Sequence, residues 1–253
     1  MNEKERDALL KLQNSRNHKA LCPKAVERVF LQALARYPGL KEADKAARDQ
    51  LHQIAGAFLR TGEVKRARNL LDRGAPVEAL LALHASTRER PGWREIYGRI
   101  FEKAAPAHVV DLACGLNPLC LGALGMPCLG LDLYAGAVEL VNAYAARAGW
   151  PVRCEVWDLL GDRELPGGDL VLMMKLLPVL ERQQSGAGAH LLARAKGRHK
   201  LVSFPTRTLG GRNVGMEAHY ENWLMDHMPE GHRVRDRFVQ NSELFCLLED
   251  TNG

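Results

Sequence analysis

Residues 109–118, Val109-Val110-Asp111-Leu112-Ala113-Cys114-Gly115-Leu116-Asn117-Pro118, constrain the fold more than any other stretch. The apolar start reads as a buried strand, Gly115 as a turn without side-chain clash, and Asn117-Pro118 as a helix start. A second short apolar run, Cys128-Leu129-Gly130-Leu131, ends on Asp132, 21 residues after Asp111. Further runs lie at 152–156, 170–174 and 201–204, and helical stretches at 117–124, 135–148 and 178–195 fall between most of them. Strand alternating with helix predicts a parallel sheet covered by helices on both faces. Toward the C-terminus a helix is expected near 215–227. Runs at 233–239 and 244–248 are expected to pair antiparallel at one sheet edge.

In an open sheet of this kind, an acid ending the second strand accepts hydrogen bonds from ribose hydroxyls. That assigns Asp132 to an adenosyl group, with Asp111, Ala113, Gly115 and Leu133 around it. The full G-x-G-x-x-G pattern is absent, because Gly115 is followed by Leu116-Asn117-Pro118. Pyrophosphate needs close backbone approach at a bare helix N-terminus. S-adenosylmethionine has no phosphate and tolerates the change, so it is favoured over NAD. Asp158, after the third run, either accepts from the adenine amino group or caps a short helix. Leu159 and Leu160 are placed to flank the ring.

The first 105 residues read as helices. Pro23 opens one whose Val26, Val29, Phe30, Ala33 and Leu34 recur at helical spacing, and Pro38-Gly39 ends it. Residues 1–105 hold 21 Lys and Arg against 13 Asp and Glu, a balance of +8, whereas residues 106–253 carry −3. A basic first half suits a polyanionic partner, and equally a solvated helical surface. No apolar run reaches the length of about 18 residues that a membrane span needs. The charged start is unlike a secretory signal. The six cysteines are scattered without a C-x-x-C pair, which fits reduced thiols of a cytoplasmic protein and argues against zinc.

Several segments together resemble the aminoglycoside-resistance 16S ribosomal RNA methyltransferases of the Arm/Rmt type. They are His84-Ala85-Ser86-Thr87-Arg88-Glu89-Arg90, residues 111–118, Lys175-Leu176-Leu177-Pro178-Val179-Leu180-Glu181-Arg182, Ser203-Phe204-Pro205-Thr206-Arg207-Thr208-Leu209-Gly210-Gly211-Arg212, Gly215-Met216-Glu217-Ala218 and Ala20-Leu21-Cys22-Pro23. The resemblance implies a helical N-terminal RNA-binding domain over 1–105. A Rossmann-like methyltransferase domain would follow over 106–253. It also implies transfer of a methyl group from S-adenosylmethionine to N7 of a decoding-site guanine of 16S rRNA, within the assembled 30S subunit. S-adenosylhomocysteine is then the product, aminoglycoside resistance the consequence, and a monomer without metal the working form.

The resemblance also distributes roles. Lys175 contacts phosphate or the guanine O6, and Glu181 either accepts from the guanine N1–H and amino group or holds Lys175 or Arg182. His84, Ser86, Thr87 and Arg90 hold the cofactor carboxylate, with Arg90 foremost. The alternative is a capping box, since Ser86-Thr87-Arg88-Glu89 fits S-x-x-E ahead of a helix at Trp93. Arg207, Arg212, Met216 and Glu243 are implied at the target base. Met216 has a core role as an alternative, and Glu243 an arginine partner. Arg16, Lys19, Arg48, His52, Lys65, Arg66 and Arg68 form a cluster of candidate phosphate contacts that read RNA shape. Competing readings are an adenine N1 methyltransferase at the same rRNA site, a small-molecule methyltransferase, an RNA-binding module without catalysis and an NAD oxidoreductase.

Overall fold

The computed structural model describes residues 1–55, 61–206 and 215–252. Three helices, α1 (Glu3–Gln13), α2 (Pro23–Arg36) and α3 (Leu40–Ala55), begin the chain. Asn2 and Glu5 form a reciprocal capping box at α1, and Pro23 occupies the first turn of α2, where its missing N–H costs nothing. Leu12, Val26, Val29, Phe30 and Leu51 are fully buried among themselves, giving this bundle its own apolar core.

Four more helices follow: α4 (Thr61–Asp72), α5 (Val77–Leu81), α6 (Ala85–Arg88) and α7 (Trp93–Ala104). Their apolar faces do not join the first bundle. Ala67, Leu80, Trp93, Ile96 and Ile100 pack with Val109, Leu170, Leu172 and Leu201 of the sheet. The single helical unit expected over 1–105 is therefore divided. Residues 1–55 stand as a bundle, and α4–α7 form part of the cover of the sheet.

The sheet holds β1 (Val109–Leu112), β2 (Cys128–Asp132), β3 (Val152–Val156), β4 (Gly168–Met174), β5 (Gly197–Pro205), β6 (His232–Gln240) and β7 (Glu243–Asp250), in the order β3-β2-β1-β4-β5-β7-β6. The first five strands are parallel, and β7 runs antiparallel between β5 and β6. The expected C-terminal antiparallel pair is present, with β6 as its outer member. Helices α8 (Pro118–Ala123), α9 (Ala135–Ala148), α10 (Leu177–Gln183), α11 (Ala187–Arg194) and α12 (Met216–Asp226) complete the chain. The helix anticipated over 178–195 is two helices, parted where Gly186 adopts a left-handed φ of 78°.

Alternating side chains explain the two-sided burial. Leu170, Leu172 and Leu201 face the layer of α4–α9, while Val171, Met173 and Val202 face α10–α12. Such side chains each contribute roughly 1.5–3 kcal/mol on burial. The order of strands reverses between β1 and β4. Their C-terminal ends therefore diverge into helices on opposite faces and leave a crevice, the usual place for a ligand in an open α/β sheet.

Close packing under that crevice leaves no room at Gly130. A Cβ there would lie 2.6 Å from Cys154 Sγ, 2.8 Å from Cys114 Sγ and 2.9 Å from Pro118 Cγ. Gly130→Ala is expected to destabilise the fold by about 1–3 kcal/mol through overpacking. Urea unfolding measures this, and an unchanged midpoint contradicts the packing described.

Candidate active site

A cavity of about 260 Å³ opens over the C-terminal ends of β1, β2 and β4. Of the residues expected to hold a cofactor, His84, Ser86, Arg90, Asp111, Ala113, Gly115, Asp132, Leu133, Asp158 and Leu159 all line it, and so does Lys175. Thr87 does not. It is buried, with its hydroxyl donating to the Leu81 and His84 carbonyls. Ser86 does not start a capping box either. Its Oγ lies 2.7 Å from His84 Nδ1, helix α7 is entered through a left-handed Gly92, and Glu89 turns to Lys175.

The Gly115 turn has a second purpose beyond conformation. Its φ is +52°, and a Cβ would meet the His84 ring at 2.8 Å. The imidazole thus seals the turn, and burial holds its pKa down to about 4, so it is neutral. Asp132 closes the same turn. Its Oδ2 accepts from Gly115 N at 2.8 Å and its Oδ1 from Tyr134 N at 2.8 Å. Both oxygens are thus held by backbone N–H groups, and the carboxylate lines the cavity where an acceptor for ribose hydroxyls is needed.

Beneath these lies a buried polar chain. Tyr97 OH donates to Asn117 Oδ1 at 2.8 Å, and Asn117 Nδ2 donates to Asp111 Oδ2 at 2.7 Å. Burial pushes the Asp111 pKa up to about 7, against the Asn117 hydrogen bond and the Arg90 charge.

Asp158 does not cap a helix. Arg28 of α2 donates to it through Nε at 2.8 Å and Nη2 at 3.0 Å, and Leu160 N donates to Oδ1 at 3.1 Å, closing a tight turn. Arg28 also lines the cavity. Sequence reasoning missed it, because an arginine beside Val29 and Phe30 on a helix resembles any solvated residue.

Arg90 and Glu243 correct two expectations together. Arg90 is 2% exposed and Glu243 0%. Arg90 Nη2 reaches Glu243 Oε1 at 2.9 Å, and Ser203 Oγ donates to the same carboxylate. Glu243 is therefore interior, not part of an RNA-facing surface, and it has the arginine partner that was its alternative. Arg90 borders the cavity with its Nε and Nη2 already committed to Glu243.

Lys175, directly after β4, takes a left-handed conformation, φ 54°, and its backbone N donates to Ser203 O and Oγ. Its Nζ lies 3.1 Å from Glu89 Oε2 and 3.4 Å from Glu243 Oε2. Ala113, directly after β1, is also left-handed, φ 55°. Two non-glycine residues in this uncommon region thus line the cavity. Glu181 is not brought to the site. Its carboxylate accepts from Gly186 N at 2.8 Å and Ala189 N at 3.1 Å, capping α11.

The basic candidates fall on two bodies. His18 is buried with Arg48 and His52 close enough to depress its pKa along with burial, so the 14–20 turn carrying Arg16 and Lys19 adjoins them. Arg48 is half-buried and paired with Asp44. Lys65, Arg66 and Arg68 are exposed on α4, where Arg68 meets Glu139 of α9. Met216 opens α12, half-buried. Arg207 and Arg212 lie outside the described residues. The six cysteines are buried free thiols. Among the described residues no His, Cys, Asp and Glu group is arranged for a metal, and no helix is long and apolar enough to cross a membrane.

A parallel sheet with one inverted strand, and acids at the ends of β1 and β2 under a cavity, define an adenosyl-cofactor-binding α/β protein of the Rossmann-like methyltransferase class. The chain belongs to the ribosomal RNA methyltransferase (FmrO) family, whose model matches residues 14–244. A 16S rRNA (guanine(1405)-N(7))-methyltransferase of Serratia marcescens is 37% identical over 245 residues, 96% of this chain and 97% of its own. The 16S rRNA methyltransferase RmtF, solved in complex with S-adenosyl-L-homocysteine, is 46% identical with a TM-score of 0.91, covering 99% of this chain and all (100%) of its own. The 16S rRNA methylase RmtB is 33% identical with a TM-score of 0.88, at 99% and 100% coverage.

The Asp111 environment predicts a pH effect. Its folded pKa of about 7 exceeds the ordinary 3.8, so its protonated form stabilises the fold fully below about pH 4 and that contribution is lost as pH rises to 7. Wild-type stability is expected to fall between pH 5 and 8 by about 2 kcal/mol more than that of Asp111→Asn. Parallel pH profiles in denaturant titrations contradict this.

Proposed function

We propose that the chain transfers the methyl group of S-adenosylmethionine to N7 of guanine(1405) of 16S rRNA in the assembled 30S subunit, and so confers aminoglycoside resistance. The reaction named for the Serratia marcescens relative supports the substrate. The observation that carries the reading is the cavity itself, lined by the carboxylates of Asp132, at the end of β2, and Asp158, after the adjacent β3. These fit a ribose and an adenine amino group. Leu133 and Leu159 supply apolar walls.

Bound S-adenosylmethionine supplies an electrophilic methyl group. Guanine N7 has an in-plane lone pair and no proton to lose, so the site needs no general base. The work left to the protein is alignment and exclusion of water. Lys175, held by Glu89 and Glu243, presents an ammonium at the mouth of the cavity for phosphate or for O6 beside N7. Bringing the base there requires flipping it from its stack. Exposed Arg16, Lys19, Lys65 and Arg66 supply cationic surface toward rRNA, with His52 and the Glu139-paired Arg68 beside them, and the protein acts as a monomer in the cytoplasm.

Labelled S-adenosylmethionine with intact 30S subunits tests this, with free 16S rRNA alongside. Label is expected on subunits alone, and Lys175→Ala is expected to lower the rate at least about tenfold. Absence of label from subunits, with the cofactor demonstrably bound, contradicts the rRNA substrate.

A further inference from the structure

We propose that Arg28, carried by the N-terminal bundle, positions the Asp158 carboxylate for the adenine amino group and thereby makes that bundle a wall of the cofactor site. The inference rests on the reading of the cavity as an S-adenosylmethionine site. Arg28 and Asp158 are 130 residues apart and belong to different hydrophobic bodies. Their bidentate pair is no ordinary surface bridge, since the Asp158 side chain is 8% exposed.

The lone pairs show what the pair does. A carboxylate has about four acceptor positions. Arg28 Nε takes one on Oδ2, while Arg28 Nη2 and Leu160 N take both on Oδ1. One position on Oδ2 remains, on a side chain that lines the cavity. The planar guanidinium fork fixes the plane of the carboxylate, and with it the direction of that last lone pair. A monodentate lysine leaves the plane free to rotate.

A second contact ties the same bundle to the ribose acid. Cys22 N donates to Leu133 O at 2.8 Å and Ala135 N to Ala20 O at 2.7 Å, pairing Leu21 antiparallel with Tyr134. This bridge immediately follows Asp132, whose Oδ1 accepts from Tyr134 N. Leu21, Arg28 and Ile54 all line the cavity. The bundle therefore holds the loops behind both acids.

The homocysteine thioether of purine riboside, which carries hydrogen in place of the adenine amino group and keeps ring N1 an acceptor, separates positioning from simple attachment of the bundle. It offers no donor to the Asp158 oxygen, so a correctly aimed carboxylate discriminates against it. Calorimetric titration of the full-length wild type is expected to favour S-adenosylhomocysteine over this analogue by about thirtyfold or more. Arg28→Ala is expected to weaken S-adenosylhomocysteine about tenfold and shrink the preference to within about threefold, with Arg28→Lys between the two. Arg28→Lys carries the test should the alanine variant fail to fold. An unchanged preference in the variant that folds, whether or not affinity falls, overturns the proposal. A wild type that binds neither compound refutes instead the cofactor reading on which it rests.

Discussion

The buried pair of Arg90 and Glu243 is the interaction on which the arrangement of the site depends. It joins the segment between α6 and α7 to the start of β7, and Ser203 of β5 and Lys175, directly after β4, converge on the same carboxylate. Four separate pieces of chain thus meet at one interior charge. Removing one partner of such a pair typically costs about 3–5 kcal/mol, because the other charge is left uncompensated. The pairing of β7 beside β5 and the cavity floor therefore share one buried ion pair. The same carboxylate that fixes the sheet also fixes the ammonium at the mouth of the site.

Two of the five non-glycine residues with positive φ among the described residues line the cavity. Ala113 and Lys175 take left-handed conformations at the ends of the two strands flanking the crevice. The surrounding hydrogen bonds determine them, notably Ser203 to the Lys175 backbone and Asp132 to Gly115. A rigid floor of this kind suits a reaction whose catalysis consists of alignment. The neutral His84 ring and the Tyr97–Asn117–Asp111 chain complete a polar interior in which nearly every donor has an acceptor, which keeps the strand ends in one geometry.

The order of strands and helices after residue 106 was legible because period and punctuation agree there. Short apolar runs, glycine turns and terminal acids all indicate the same sheet. Asp111, Ala113, Gly115, Asp132, Asp158 and Lys175 were legible for the same reason, since each ends or follows a strand. What was not legible is long-range pairing. Glu243 and Arg90 are 153 residues apart, and nothing local in either shows that it is interior. Glu181 looked functional because it sits in a family motif, yet its oxygens cap the helix that restarts after Gly186. The S-x-x-E spacing at Ser86 predicted a cap that Gly92 replaces. The assignment of α4–α7 to the sheet, and not to the first bundle, also required knowing which apolar stripe meets which.

Identity of the modified atom tests the central claim most directly. N7-methylguanine, after borohydride reduction, makes the RNA chain cleavable by aniline, and N1-methyladenine does not. After treatment of 30S subunits with this protein and S-adenosylmethionine, primer extension across the cleaved 16S rRNA is expected to stop one nucleotide 3′ of guanine(1405) and at no other new position. Methylated rRNA that resists aniline, with the methyl group recovered on adenine N1, contradicts the account.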